Sequence, residues 1–488
     1  MTLFTLRLPA RKPKLLVKVD RSFKTRSELT QRTMAVAEAF GIGVDEEQTW
    51  PVYRDFQVEV NPGDVVYITG ESGGGKSLLL QELADQMRES PGFGKVLMDA
   101  ELAVSPQEVL VEGLGATVDE ALNCLSLAGL NEAFLWVRQY SQLSEGQKYR
   151  YRMATMLASR ASTWLFDEFA ATLDRETARI VAFSLQKTAR RTGRTVVVAT
   201  SHDDLFEDLK PSVHIEKGLG AEVETHRHAN EPNAACTVLT GVEIKPATMR
   251  DYKALEFFHY RAGRPFGVKK VFGAWLGRRL VAAIVYSLSP RLCAARTKFL
   301  GYAPTSAELN RDFLTISRVV VHPKYRSIGL GTRLVKETLP QAGSRFVETI
   351  AVMARFNPFF AKAGMTSVDA SSSFRDGCRR IMEALRPYGF HPSLAPSATY
   401  NLKLLNGLSD IGKAEVLDII IRHSFLATGD LYARKLPPAE KVSADLTADP
   451  ALLAKAIRSL AIRAQEKRYY IWVSNSPYGG LVEEKEIT

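Results

Sequence analysis

The stretch Val65–Ser77, VVYITGESGGGKS, joins an apolar strand, a glycine-rich turn and the opening of a helix. Gly70, Gly75, Lys76 and Ser77 fit the spacing G-x-x-x-x-G-K-[ST], with Glu71, Ser72, Gly73 and Gly74 between them. Glycines let such a backbone curl until successive N–H groups face inward, and the new helix adds its positive end. A polyphosphate is then held by main-chain donors. Lys76 is placed to reach the β- and γ-phosphates, and Ser77 to offer its hydroxyl to Mg2+.

Further along, the apolar strand Thr163–Phe166 ends at Asp167 and Glu168. Ligands gather at the carboxyl ends of α/β strands, so Asp167 suits a metal ligand, and Glu168 can hold a water for in-line attack. His202 follows a β-branched strand, Thr195–Thr200. Taken singly, Glu168 or His202 also fits an ordinary polar residue. A second glycine turn, Arg326-Ser327-Ile328-Gly329-Leu330-Gly331, follows the strand Ser317–Val321 and opens an amphipathic helix. It repeats the logic of the first turn without its lysine and suits a pyrophosphate. On the next strand, Phe346–Val352, Glu348 is the candidate base for an acceptor amine. A solvent-facing or salt-bridged strand carboxylate is the alternative reading.

The elements that must position these groups need more than one core. The chain has 488 residues, which implies two or three domains. With 45% hydrophobic and 24% charged residues it has the composition of a soluble globular protein. No apolar run approaches the roughly 18–20 residues that span a bilayer. Four cysteines lack any C-x-x-C spacing, so neither a disulfide framework nor a zinc ribbon is expected, and a reducing cytoplasm fits. The net charge of +10 suggests an anionic partner. Its densest cluster is N-terminal, Arg7 to Arg26, where Lys14–Asp20 alternates like a strand. Phe40, Trp50 and Tyr53 compete as an aromatic platform for an adenine ring.

The first half resembles the ATPase domain of the ABC superfamily, because five motifs occur in the family's order. The resemblance implies that Gln107 is the glutamine that senses Mg2+ and the attacking water, and that Ser144 and Gly146 are the signature residues. It makes Asp167 the Mg2+ ligand, with Ser77 and Gln107, and Glu168 the general base. Asp174 would be the D-loop aspartate and His202 the switch histidine near the γ-phosphate. Glu145 replaces the first glycine of the family's LSGGQ, placing an acid near a phosphate, where it is expected to slow turnover. Since the family's signature completes the other subunit's site, one such domain per chain implies a homodimer with two ATP molecules between subunits.

The second half resembles the GNAT acyltransferases, whose motif A binds the pyrophosphate of acyl-CoA at a turn like Arg326–Gly331. The resemblance implies acyl-CoA contacts from Val319, Val321, Arg326, Ser327, Ile328, Gly329, Leu330, Gly331, Thr332 and Asn357. Phe359 and Phe360 stand where many relatives carry a tyrosine that protonates the leaving thiolate. His259, Tyr260 and Arg261, with Ser317 and Arg318, are candidates for meeting the acceptor. This half is also faintly similar to Mom-type phage enzymes that modify DNA adenine.

The expected fold class is α/β: an ABC-type P-loop ATPase domain, a GNAT-like α+β acyltransferase domain and a mainly helical C-terminal extension. The expected division is a basic N-terminal arm at 1–29, the ATPase at 30–220, a linker at 221–237, the acyltransferase at 238–370 and the extension at 371–488. Near the end, cations of the helix Ala451–Lys467 precede Tyr469, Tyr470 and Trp472, a pairing that suits stacking against nucleic-acid bases. The leading expectation is an ATP-gated enzyme using acetyl-CoA or another acyl-CoA to modify a nucleic acid. Its competitors are a protein or small-molecule acceptor, and an ATP-dependent nucleic-acid clamp whose acyltransferase fold is silent.

Overall fold

The computed structural model describes residues 14–25, 28–41, 48–259, 265–351, 358–368, 373–428 and 437–474. The chain forms two compact units, one of residues 1–263, 271–284 and 319–334, the other of 264–270, 285–318 and 335–488.

In the first unit, strands β1 (Leu15–Thr25) and β2 (Gln48–Val60) form an antiparallel pair. The expected basic arm is therefore in part a strand. Two of its cations are ion-paired, Lys14 with Glu59 at 3.0 Å and Arg21 with Glu82 at 2.5 Å. Next come β3 (Val65–Gly70), β4 (Val96–Met98), β5 (Thr163–Phe166), β6 (Thr195–Ala199), β7 (Val213–Lys217) and β8 (Val223–Arg227). They form one sheet in the order β4-β5-β6-β3-β7-β8, parallel except for the last pair. The central strands read as unbroken apolar runs because both of their faces are covered, and β5 and β6 are buried throughout. Within the expected linker at 221–237, Val223–Arg227 forms β8 and pairs residue by residue with β7.

A second sheet has the order β14-β15-β13-β12-β11-β10-β9. Its strands are β9 (Val242–Pro246), β10 (Val268–Leu276), β11 (Arg279–Leu288), β12 (Phe313–Val321), β13 (Phe346–Ala351), β14 (Thr366–Val368) and β15 (Arg468–Val473). The last strand inserts between β13 and β14, antiparallel to both. The helical segment between β14 and β15 is thus an insertion within the sheet's strand order, and its end completes the sheet. Helices Ser373–Ala384, Ala398–Gly407, Asp410–Arg422, Ala439–Ala448 and Pro450–Ala464 close around their own core of Ile381, Leu385, Val416, Ile420, Ile457 and Leu460. Among the described residues no helix is long and apolar enough to cross a membrane.

Candidate functional site

β3 delivers the first glycine turn from a fully buried strand. Two glycines there are steric requirements. A Cβ on Gly70 (φ 143°) would lie 2.2 Å from the Lys217 carbonyl oxygen, and one on Gly75 (φ 96°) would lie 2.5 Å from Val52 Cγ1. Tyr53 supports the turn from below, its hydroxyl donating to the Gly75 carbonyl at 2.9 Å. Tyr53 is thereby buried and removed as an adenine platform, whereas Phe40 and Trp50 are exposed. Helix Lys76–Glu89 starts at Gly75 with no side-chain cap, which leaves its first N–H groups to a ligand. Lys76 Nζ bridges the Gly70 and Glu71 carbonyls at 2.9 and 2.6 Å. Burial lowers its pKa, against the pull of Asp167 and Glu168.

The sheet order places β6 between β5 and β3, so Asp167, His202 and the phosphate turn follow the carboxyl ends of three successive strands. Asp167 Oδ1 accepts the Glu168 N–H at 2.9 Å. Glu168 itself holds φ 45°, a left-handed conformation that costs a non-glycine residue energy and is typical of functional turns. Ala170, two residues on, has φ 58°, and its N–H is held by the Tyr149 hydroxyl at 2.8 Å. His202 is anchored through its backbone, donating N–H to Thr200 Oγ1 at 3.3 Å and accepting from the Tyr67 hydroxyl. Burial and then Arg175 lower its ring pKa, which keeps the imidazole neutral at neutral pH.

The signature segment opens helix Glu145–Ala158, with Ser144 as N-cap and its N–H donated to Gln147 Oε1 at 3.0 Å. Glu145 is bridged by Lys148 at 2.8 Å, which offsets the acid's charge. Gly146 has room for a Cβ, the nearest atom being Leu173 Cδ2 at 3.5 Å. Gln107 is exposed, and its amide oxygen lies 3.5 Å from Ser105 Oγ. The carboxylate that touches Asp167 is one that sequence reasoning passed over: Asp99 Oδ1 accepts the Asp167 N–H at 3.2 Å. Arg152, from the signature helix, donates to the Asp99 carbonyl. A signal for it existed, because Val96-Leu97-Met98-Asp99 repeats the apolar-strand-to-acid pattern of Trp164-Leu165-Phe166-Asp167.

The second glycine turn follows β12. Gly329 has φ 96° and Ser327 φ 68°, and a Cβ on Gly329 would meet open space. Gly331, Thr332, Val319 and Val321 are half-buried, whereas Ile328 and Leu330 are buried in the core and anchor the turn. Arg326, expected on a phosphate, spends its guanidinium on carbonyls: Val321 at 2.9 Å, Phe258 at 3.2 Å and Asn131. Tyr260, Arg261 and Asn357 lie outside the described residues. His259 follows helix Met249–Glu256 and donates its N–H to the Glu256 carbonyl at 3.0 Å. Ser317 Oγ is 2.8 Å from Ser287 Oγ and donates to the Val285 carbonyl at 3.1 Å, while Arg318 is buried and donates to the Ser317 carbonyl at 2.8 Å.

Glu348 takes the salt-bridged form of its two readings. It is 2% exposed, accepts from Arg296 Nη1 at 2.8 Å and from the Tyr469 hydroxyl at 2.6 Å. A base in that position must first give up a cation and a phenol. Beside it, backbone pairing of β12 with β13 spans only Phe313–Thr315 against Phe346–Glu348. Tyr469 and Tyr470 are buried within the sheet, so they are not a surface on which bases could stack.

The ABC transporter family model matches residues 53–171, and the acetyltransferase (GNAT) family model matches residues 240–365. The chain thus carries an ABC ATPase domain and a GNAT-like domain. It is 30% identical over 174 residues to the cytochrome c biogenesis ATP-binding export protein of Sphingopyxis alaskensis, covering 32% of this chain and 86% of that protein. It is 24% identical over 286 residues to a methionine import ATP-binding protein of Lactiplantibacillus plantarum, covering 50% of this chain and 79% of that one. With ABC transporter B family member 3 of Dictyostelium discoideum it shares 26% identity over 36% of its own length, but spans only 14% of that relative.

Proposed function

From the premise that the first half of this chain belongs to the ABC ATP-binding protein family, we propose that it binds and hydrolyses ATP and gates acyl transfer by the second half. The observation that carries the ATP reading is the phosphate turn, with its uncapped helix start and Lys76 next to the Asp167–Glu168 strand end. The donors Ser77 and Asp167 are oxygen ligands, which suits Mg2+ rather than a softer metal. When bound, Mg2+ would neutralise charge developing on the phosphates. Glu168 would hold the attacking water, and the neutral His202 ring would donate towards the γ-phosphate. Pairing of two chains would bring Ser144 and Gly146 of one copy to the nucleotide of the other.

The turn Ser327–Gly331 would bind the pyrophosphate of acyl-CoA through backbone N–H groups, not through Arg326. Among the described residues β12 pairs with β13 no further than Thr315, and its edge beyond that offers further donors and acceptors. The acceptor proposed is a nucleic-acid amine. The excess of ten positive charges supports it, together with exposed cations such as Arg379, Arg380, Lys403 and Lys455 on the helical insertion. A second reading, an ATP-dependent nucleic-acid clamp with a silent acyltransferase fold, is favoured by the Arg296–Glu348 pair that occupies the candidate base.

Nucleosides from cells expressing the wild type, Glu168→Gln or Gly329→Val separate these readings by mass. A modified nucleoside that needs Gly329 supports the enzyme, and its loss in Glu168→Gln ties it to hydrolysis. If nucleosides are unmodified while purified protein acylates a protein or small-molecule amine, the acceptor assignment fails. If no acceptor turns over, the clamp stands.

A further inference from the structure

The residues just before the second glycine turn are clamped to the helix that follows the ATPase carboxylates. Asp174 caps that helix, Arg175–Thr192, by accepting from Thr177 N and Oγ1 at 3.1 and 2.6 Å. Its Oδ1 also pairs with Lys324 Nζ at 2.5 Å. Within the first turn, Glu176 accepts from Arg279 at 2.7 and 2.9 Å, from Lys324 at 2.8 Å and from the Tyr325 hydroxyl at 2.8 Å. The Tyr325 ring is buried and carries the Arg279 and Lys324 cations against it, 5.5 and 6.0 Å from its centroid. The neighbouring residues are held too, since Asn131 Nδ2 donates to the Pro323 carbonyl at 3.3 Å and Arg326 donates to the carbonyls of Asn131 and Phe258.

Charges balance within this cluster: two carboxylates meet two cations. Both ends of the linkage are short. The helix cap lies six residues from Glu168, whose left-handed backbone borders the candidate phosphate site, and Lys324 lies three residues before Ser327, whose backbone is left-handed as well. A shift in the turn Glu168–Asp174 therefore has little slack in which to dissipate before it reaches the second turn. Packed and ion-paired elements of this kind respond by switching arrangement, not by stretching.

We propose that Asp174 and Glu176 are positioning residues for the Ser327–Gly331 turn, and that through Lys324 and Tyr325 they make acyl-CoA affinity depend on the nucleotide held by the ATPase. This rests on the acyl-CoA reading of that turn. Such coupling is reciprocal: the factor by which ATP changes acyl-CoA affinity equals the factor by which acyl-CoA changes ATP affinity.

The test is calorimetric titration of the full-length protein with acetyl-CoA, with and without a non-hydrolysable ATP analogue and Mg2+, and the converse titration. The expected result is a change in acetyl-CoA dissociation constant of about fivefold or more, matched in the converse direction. Lys324→Met, checked for an unchanged fold by circular dichroism, should bring that factor close to one, and Lys324→Arg should restore it. A purely structural role would lower stability without removing the factor. Equal acetyl-CoA affinity with and without the analogue in the wild type overturns the proposal, as does a full factor in Lys324→Met. Absence of any acetyl-CoA binding overturns the acyl-CoA reading itself and this proposal with it, an outcome distinct from uncoupled binding.

Discussion

Glu145 shows how a single substitution in a recognisable pattern can be offset by its neighbour. An acid beside a bound phosphate repels it, but Lys148 lies one helical turn on and bridges the carboxylate. An exposed pair of this sort is weak, so the expected effects are about fivefold or less. Glu145→Gly should raise the ATP turnover number and Lys148→Met should lower it. Steady-state phosphate release measures both, and a Lys148→Met enzyme faster than wild type would contradict the offset. The same scale explains why Asp99 was missed. Its contribution is an acceptor for one backbone N–H: the strand-to-acid pattern Val96–Asp99 marks the residue, but only the β4–β5 pairing brings it to Asp167.

At the scale of elements, the buried Arg296–Glu348–Tyr469 group ties helix Ala294–Leu300 to β13 and β15. Removing one partner of a buried ion pair leaves an uncompensated charge and typically costs about 3–5 kcal/mol. Arg296→Met is expected to destabilise by that order in urea unfolding, and the double variant Arg296→Met, Glu348→Leu to recover a large part of it. If the single variant unfolds at wild-type urea, Glu348 has another partner and regains its candidacy as a base. The helix cap Asp174 offers a pH readout. Burial pushes its carboxyl up, but the Lys324 and Thr177 hydrogen bonds outweigh that and hold it at about 2. Because the folded value lies below the ordinary 3.8, the bridge contributes fully above 3.8 and is lost as pH falls through about 2. Lys324→Met should return the Asp174 titration towards 3.8, followed by carboxyl NMR; an unmoved titration would show that Thr177 alone sets it.

For the whole molecule, the strand order has a consequence for where the chain can be cut. Ending the protein at residue 370 removes β15 from between β13 and β14, together with the Tyr469 hydroxyl on Glu348. Both neighbouring strands would then expose unpaired backbone edges, a cost that short strands cannot absorb. A protein ending there is expected to aggregate or to lose its cooperative unfolding transition in circular dichroism. A soluble, cooperatively unfolding product would show that β15 is dispensable.

The chemistry of the first site was legible in the amino-acid order because its residues are local: a glycine turn, a strand-to-acid junction and a capped helix each need only a few neighbouring positions. The fold class followed from the family resemblances that those ordered local motifs carry. What the order could not reveal was anything that depends on residues far apart in sequence. Lys217 and Val52 explain why Gly70 and Gly75 must be glycine, yet neither adjoins them in the chain. Arg326 looked like a phosphate ligand by its place in a motif, but Asn131 and Phe258 supply carbonyls that claim it. Glu348 looked like a base on a strand until Arg296 and Tyr469 closed on it from a helix and a returning strand. Backbone conformation is set by near neighbours, whereas the state of a charged side chain is set by whichever partners tertiary packing brings within hydrogen-bonding distance.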